Sequence, residues 1–549
     1  MSTIFERNLL ALSSCDPRLS AQISGVTSSI DTQIILSKSG HPVPVISRNN
    51  RDTPLHSRFD PQKEGEKYLK HFEAEGFLVF LGLGAGYQIE PFLKQNEVTQ
   101  VVIIEKEFSY FKYLLENIDL SALIINPKVR LIVGYSDREV EEFLLKNYLP
   151  CFSGNLKTIS LASRVNLDRS YFENIIEVIR NVIGKIADDY TVQVNFGRRW
   201  FINTIKNLEK AEKTYFRLPS NRKIIITGAG PSLENQIPLI KKKHKDALLI
   251  ATDTSLLTLL AYDIVPDLTL SIDCQHISYH HFLKGIPDNI PLVLDLASPP
   301  LLTRLTDNIL FFSSGHPFSQ FISNYWRAFP NIDTSGGNVS HAALSLARYL
   351  GAEKVYLYGI DFSFPEGKAY SRESYLYPYF RSSESRTKPL ESSFFNFIFK
   401  DKKVIKEQIK NYIRYTTRPM INYKKRLEEI VNNLEINVIQ ENSMGIPLDV
   451  KHFHTDVNKL PRLISQGPAK TSWKEFLIFF NLELSKLPKP FSPISEYLYH
   501  LELYQRDLLM TLFPAASTIG EKLNPKNLKG ADLLDETIQW STNIINQFL

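Results

Sequence analysis

The chain has 549 residues, 43% of them hydrophobic and 11% aromatic, which is too long for one ordinary core and too apolar for disorder as the main state, so two to four domains are expected. The net charge of +5 is mild, and the one dense basic run, Lys241, Lys242, Lys243, His244 and Lys245, falls at the expected end of a helix, where it reads as a solvated carboxyl terminus before it reads as a surface for an acidic partner or a sugar donor. Three scattered cysteines, Cys15, Cys151 and Cys274, show no CxxC or Cys/His spacing and argue against a disulfide framework or a zinc site.

The amino-terminal stretch MSTIFERNLLALSSCDP carries only a short apolar run preceded by Glu6 and Arg7, unlike a secretory signal. The most apolar window, Ala247 to Tyr262, is interrupted by Asp253 and by Thr and Ser, so no bilayer span is expected. These features predict a cytoplasmic protein that engages neither membrane nor nucleic acid.

Residues 1–70 are polar and turn-rich, and predict a small β-rich amino-terminal segment. At Phe77 the pattern changes: FLVFLGLGAGYQIEPFL, VTQVVIIEKE, FSYFKYLLENI, VRLIVGYS and DREVEEFLLKNYL alternate strand with helix, as a parallel sheet with crossover helices requires. Two helical segments follow, RSYFENIIEVIRNVIGKIADDY and RRWFINTIKNLEKA, with apolar residues at helical spacing. Residues 71–204 therefore read as a Rossmann-like domain with bridging helices.

A second α/β pattern starts at Arg222 with RKIIITGAGPSLENQIPLIKKK and continues through DALLIATDTSLLTLL, DLTLSIDCQ, PLVLDLA, NILFFSS, SHAALSLARYLGA and KVYLYGIDFSF. Residues 380–433 read as a loop followed by helices, and EINVIQENS as a last strand. The second domain spans 205–455, and 456–549 forms a helical carboxy-terminal domain. The fold class is α/β: two Rossmann-like parallel-sheet domains followed by helices.

Two glycine loops open helices. The first is Gly82-Leu83-Gly84-Ala85-Gly86, with Glu105 ending the next strand; glycines let a backbone approach a ligand and a strand-end acid accepts ribose hydroxyls. This pattern resembles S-adenosylmethionine-dependent methyltransferases, but no later stretch supplies a catalytic motif such as NPPY, and a plain strand–helix turn explains the glycines slightly better. The second is Thr227-Gly228-Ala229-Gly230-Pro231-Ser232-Leu233. Here Pro231 fits a first helical turn, and the exposed N–H groups with the Ser232 hydroxyl suit an anion at the helix amino terminus. Asp253, followed by Thr254, ends the next strand and reads equally as a ribose contact or an N-cap. Asp273 also points to the carboxyl edge of the sheet, where ligands of open α/β sheets bind.

The strings GAGPSL, DTSLLTLLAYDIVPDLTLSID and TSGGNVSHAALSLARYLGAEKVYLYGIDF resemble the central domain of the motility accessory factor (Maf) family of flagellin glycosyltransferases. That domain is similar to bacterial CMP-sialic-acid-dependent sialyltransferases, hence GT-A-like. The resemblance covers roughly 205–455. It implies a donor such as CMP-pseudaminic or CMP-legionaminic acid, Ser or Thr acceptors on flagellin, and no cofactor beyond the donor substrate. It implies that the Gly228–Ser232 loop and the segment Thr334, Ser335, Gly336, Gly337 and Asn338 hold the CMP part, and that Tyr370 binds the donor phosphate. Tyrosine hydroxyls and backbone amides stabilise charge building on a leaving phosphate without a metal, and the central domain has no DxD string, so metal independence is expected.

Two departures from the family stand out. A second phosphate-binding tyrosine falls at Ser363, and the catalytic histidine has no clear counterpart, because His452 and His454 come after the last strand. His341 is a candidate base, although a structural place is the commoner fate of such a residue. Asp361 ends a strand over the site, as a catalytic group or a buried turn carboxylate. Tyr375, Tyr377 and Tyr379 alternate, as sugar-binding rings or as a half-buried edge strand. Competing readings are a hydroxymethylpterin diphosphokinase-like transfer of pyrophosphate from ATP, methylation at the Gly82 loop, and a flagellin-binding chaperone without catalysis.

Overall fold

The computed structural model describes residues 3–48, 50–215, 218, 221–400, 403–451, 453, 467–523 and 528–549. The chain forms two compact units, one of Met1–Arg198, Lys486–Arg506 and Phe513–Ser541, the other of Arg199–Ser485, Asp507–Leu512 and Thr542–Leu549. Chain beyond Ser485 thus contributes to both.

The first unit begins with helices Ile4–Cys15 and Pro17–Gly25, ahead of the strands of a segment expected to be β-rich from its start. Their start signals are legible: Thr3 and Glu6 form a reciprocal capping box, and Asp16 caps a helix with proline in its first turn. An antiparallel sheet of β1 (Thr32–Leu36), β2 (Pro42–Arg48) and β3 (Arg51–Pro54) follows. The parallel sheet consists of β4 (Gly76–Leu81), β5 (Val98–Glu105), β6 (Val129–Val133) and β7 (Leu156–Ser160), in the order β6-β5-β4-β7. Every residue of β4 is buried, because both faces of the sheet are covered, as parallel sheets require. Leu78 and Phe80 face a core with Phe111 and Leu115, while Phe77, Val79 and Leu81 face one with Phe172, Ile175 and Ile179. The two helical segments expected after this sheet form one helix of 45 residues, Arg169–Lys213.

The second unit holds a seven-stranded parallel sheet of β8 (Lys223–Thr227), β9 (Leu248–Thr252), β10 (Leu268–Ser271), β11 (Leu292–Asp295), β12 (Ile309–Phe312), β13 (Lys354–Tyr358) and β17 (Asn437–Gln440). Its order is β12-β11-β10-β9-β8-β13-β17. From β8 the strands step outward to β12; the helix Val339–Tyr349 then returns the chain to β13 on the other side of β8. The order reverses between β8 and β13, and a crevice at such a switch point is where open α/β sheets bind ligands. One face packs Ile224, Ile226 and Ile250 against Ala343 and Leu427; the other packs Ile225 and Leu249 against Leu233, Ile237 and Leu259.

Between β13 and β17 lies an antiparallel sheet of β14 (Phe364–Pro365), β15 (Val404–Ile409) and β16 (Tyr412–Thr417), in the order β14-β16-β15. The β15–β16 hairpin replaces helix expected over part of 380–433. Its β-branched and aromatic residues around the Lys410–Asn411 turn were the available signal.

Candidate active site at the carboxyl edge of the seven-stranded sheet

The loop after β8 is drawn tightly onto the loop after β13. The Gly228 amide donates to the Tyr358 carbonyl at 2.8 Å and the Gly230 amide to the Gly359 carbonyl at 2.7 Å. The packing is so close that a β-carbon on Gly230 would lie 2.5 Å from Asp361 Oδ2 and 2.7 Å from the Gly359 oxygen. The Ser232 amide donates to Asp361 Oδ2 at 2.8 Å, and the Ser232 hydroxyl accepts from the Met444 amide at 2.7 Å.

This corrects the expectation of a row of amides open to an anion. The protein's own carbonyls and the Asp361 carboxylate satisfy it, and among the loop's N–H groups only that of Ala229 has no protein acceptor among the described residues. The helix begins at Leu233 with Ser232 as its N-cap, so Pro231 precedes the helix rather than entering its first turn. Asp361 is the buried turn carboxylate of the two roles open to it: burial pushes its pKa up, and the Ser232 and Ser443 hydrogen bonds only partly offset that. Ser363 is also turned inward, its hydroxyl donating to the Asp361 carbonyl at 2.9 Å.

Beside this closed junction, the ends of β9 and β10 present a polar cluster. Asp253 opens the helix Asp253–Ala261. Its Oδ1 accepts from the Thr254 amide at 2.7 Å and its Oδ2 from the Ser271 hydroxyl at 2.7 Å. Asp253 Oδ2 also lies 3.1 Å from His281 Nδ1. Burial raises the Asp253 pKa, but the His281 charge and these hydrogen bonds prevail and hold it below the usual carboxylate value. Thr254 shares a hydroxyl contact with Thr252 at 3.0 Å. Asp273 is part-buried and caps the Gln275 amide at 2.9 Å; burial, then the Asp253 charge, raise its pKa.

The tyrosine-bearing segment is fastened over the same edge. The Ser371 amide donates to the Ala229 carbonyl at 2.8 Å, the Ser371 hydroxyl contacts Thr258 Oγ1 at 3.0 Å, and the Arg372 amide donates to Glu234 at 2.8 Å. Tyr370 is part-exposed, with its ring 6.2 Å from that of Tyr375, and the Tyr375 ring is 4.4 Å from that of His281. Burial, then the Asp253 charge, raise the Tyr370 pKa; burial and the neighbouring Tyr370, Asp253 and Asp273 raise that of Tyr375. Both phenols therefore keep their protons at neutral pH and remain hydrogen-bond donors. Tyr375 is the N-cap of the short helix Leu376–Arg381, so the alternating tyrosines are not an edge strand.

The Thr334–Asn338 segment precedes the helix Val339–Tyr349, whose carboxyl end leads into β13, so the segment also lies at the carboxyl edge. The Gly337 amide closes onto the Thr334 carbonyl at 3.1 Å, the Ser335 amide donates to Asp333 at 2.8 Å, and the Asn338 side chain caps the Ser340 amide at 2.8 Å. Gly336 lies against the His341 ring, which a β-carbon would meet at 2.5 Å. His341 is fully buried, its Nε2 is 2.9 Å from the Tyr423 carbonyl, and burial lowers its pKa. That arrangement supports the turn and does not present the ring to a substrate, so the candidate base is corrected to a packing residue. His452 and His454 lie outside the described residues.

His281 is the site residue that sequence reading missed. It sits in the 3-10 turn His276–Phe282 after β10, within a string of three histidines whose spacing matches no metal motif. Only the contact with Asp253 distinguishes it. Among the described residues there is no cluster of three or more His, Cys, Asp or Glu side chains placed to hold a metal ion.

The first glycine loop, by contrast, is filled. The Arg164 guanidinium pairs with Glu105 at 2.6 Å, both side chains essentially buried, and the Cβ and Cγ of Arg164 lie against Gly82. His56 Nε2 accepts from the Ala85 amide at 2.9 Å and lies 2.3 Å from where a Gly84 β-carbon would be. The strand-end acid expected for ribose instead anchors an internal arginine, in keeping with the plain-turn reading.

Comparison with known proteins accords with this division. Residues 55–130 match the family described as "Glycosyltransferase Maf N-terminal domain", and residues 199–367 match "6-hydroxymethylpterin diphosphokinase MptE-like". Among curated relatives, an uncharacterized protein of Treponema pallidum (strain Nichols) is 32% identical over 154 residues, covering 27% of this chain and 54% of its own. A second from the same organism is 31% identical over 174 residues, covering 31% of this chain and 82% of its own. The chain thus spans about half the length of the first relative and most of the second. The solved structure of a Maf glycosyltransferase from Magnetospirillum magneticum AMB-1 matches 99% of this chain and 94% of its own with a TM-score of 0.57 at 15% identity, a likeness of fold. No described helix is long and apolar enough to cross a membrane. Residues 55–130 thus carry the sequence of the Maf amino-terminal domain, and the chain along its length has the fold of a solved Maf glycosyltransferase.

Proposed function

We propose that this glycosyltransferase moves a nonulosonic acid of the pseudaminic or legionaminic type from a CMP-activated donor to Ser or Thr hydroxyls of flagellin, in the cytoplasm. The observation that carries the reading is the Ser371–Ala229 hydrogen bond at 2.8 Å, which brings the Tyr370 segment onto the glycine loop at the carboxyl edge of the sheet. Departure of CMP puts negative charge on the donor phosphate. The protonated phenol of Tyr370, with the Ala229 amide, supplies donors for that charge, and preorganised donors of this kind lower the barrier without a metal. The Gly228–Ser232 loop contributes shape rather than a row of amides. Thr254 and Asp273 offer acceptors to the nucleotide's hydroxyls, Asp253 being buried with both oxygens engaged beneath them, and Thr334–Asn338 closes the edge.

The test is transfer by the purified full chain from CMP-pseudaminic and, separately, CMP-legionaminic acid to purified flagellin, read by intact mass in the presence and absence of a chelator. A mass gain equal to one sugar per modified site, unchanged by the chelator, is expected. Flagellin captured by the chain but unchanged in mass would favour a chaperone.

A second reading rests on the match of residues 199–367 to the pterin diphosphokinase family. Formation of the pterin diphosphate from ATP, hydroxymethylpterin and magnesium would replace the first reading.

A further inference from the structure

We propose that His281 is the base that takes the proton of the acceptor hydroxyl, held in place by Asp253 acting as its positioning residue; this deepens the transferase reading and rests on it.

Two buried histidines of this unit show what distinguishes a working imidazole from a packed one. His341 is wholly enclosed with its Nε2 on a backbone carbonyl. His281 keeps 10% of its side chain exposed, and its Nδ1 faces Asp253 Oδ2 at 3.1 Å. That contact is at ion-pair distance without hydrogen-bond alignment, and neither ring nitrogen has a hydrogen-bond partner among the described residues. Asp253 cannot swing away: it is buried, and the Thr254 amide and Ser271 hydroxyl bind its two oxygens at 2.7 Å each. A carboxylate fixed beside Nδ1 favours the proton on that nitrogen by its charge and leaves the Nε2 lone pair free to accept another, the division of roles by which a carboxylate orients a histidine base.

The ring also lies where the reaction must occur. Tyr375 covers one side at a ring separation of 4.4 Å, and Tyr370 is next to Tyr375 at 6.2 Å. His280 leads to Tyr379 at 5.7 Å, and Asp273 ends the adjoining strand. In the step, the acceptor oxygen forms a bond to the anomeric carbon while its proton passes to His281 Nε2. The bond from that carbon to the phosphate oxygen breaks, and its electron pair leaves with CMP.

The experiment uses the full chain with a CMP-nonulosonic donor and flagellin. His281→Ala and His281→Gln are expected to lower transfer by about 100-fold or more, the usual worth of a general base. CMP affinity by calorimetry should stay within about twofold of the parent, and added imidazole should restore part of the transfer of His281→Ala. Transfer at parental rate in either variant, or loss of CMP affinity matching the loss of transfer, overturns the assignment. Independently of any donor, nitrogen-15 spectra of labelled histidines should show His281 as the Nδ1–H tautomer, with that preference lost in Asp253→Asn. An Nε2–H tautomer in the parent overturns the proposal. A parent chain inert towards every CMP donor yet showing the Nδ1–H tautomer refutes the donor reading and leaves the His281–Asp253 pair standing.

Discussion

The carboxylate of Asp361 meets the backbone amide of Ser232 at 2.8 Å, closing the point where the order of the strands reverses. A helix amino terminus that ordinarily attracts a ligand anion is here occupied by an anion of the protein. Removing the acceptor leaves a buried N–H unpaired, so Asp361→Ala should destabilise the protein by about 1–3 kcal/mol in denaturant titration. Asp361→Asn keeps an acceptor oxygen and should cost less. The pH dependence separates the two effects. Burial raises the Asp361 pKa, so the cost of enclosing its charge is present above the unfolded carboxyl pKa and is relieved as pH falls through the raised folded value. Asp361→Asn should therefore compare best with the parent at neutral pH and worse in acid.

Gly230→Ala forces a methyl group to within 2.5 Å of Asp361 Oδ2 and 2.7 Å of the Gly359 carbonyl. Overpacking of this kind costs about 1–3 kcal/mol and pushes the loop away from β13, taking the Ser371 contact with it. Chemical denaturation should show the loss, and calorimetry with CMP should show weakened binding.

Tyr370→Phe removes a hydroxyl donor and keeps the ring against Tyr375 and Phe397. Loss of one preorganised donor to a developing oxyanion lowers kcat by about 100- to 1000-fold. Intact-mass time courses should show that loss with stability unchanged.

In the first unit, Arg164 binds both Glu105 and Asp168 out of solvent. Arg164→Ala leaves the buried Glu105 carboxylate without its ion pair, while Asp168 keeps Lys106 and Arg48, and should destabilise by about 3–5 kcal/mol. With Arg164 in place against Gly82, calorimetry with S-adenosylmethionine should register no binding.

Asp168 adds a pH signature to the same unit. Burial opposes ionisation, but hydrogen bonds from Lys106 and Arg164 prevail and bring its pKa down to about 2. A depressed carboxyl pKa stabilises the fold above the unfolded value and loses that contribution as pH falls through the folded one. Asp168 should thus contribute about 2–3 kcal/mol at neutral pH, lost between about pH 5 and 2. Asp168→Asn should flatten the acid limb of the stability profile.

The sequence by itself determined both parallel sheets. FLVFL, VVIIE, KIIIT and LLIAT are apolar on both faces, and strands of that kind need helices on either side. It also determined that the glycine loop after KIIIT, the acids ending the next two strands and the segment before VSHAAL share one sheet edge, because strand–helix alternation places all strand ends together. Tertiary structure alone decided which of those groups face a ligand. Local patterning does not reveal that the Gly228, Gly230 and Ser232 amides are satisfied by residues 358–361, that Arg164 fills the Gly82 loop, or that His281 rather than His341 finds a buried carboxylate. Each depends on a partner far away in the chain, and hydrogen-bond partnership is set by three-dimensional distance, which the spacing of residues along a chain does not encode.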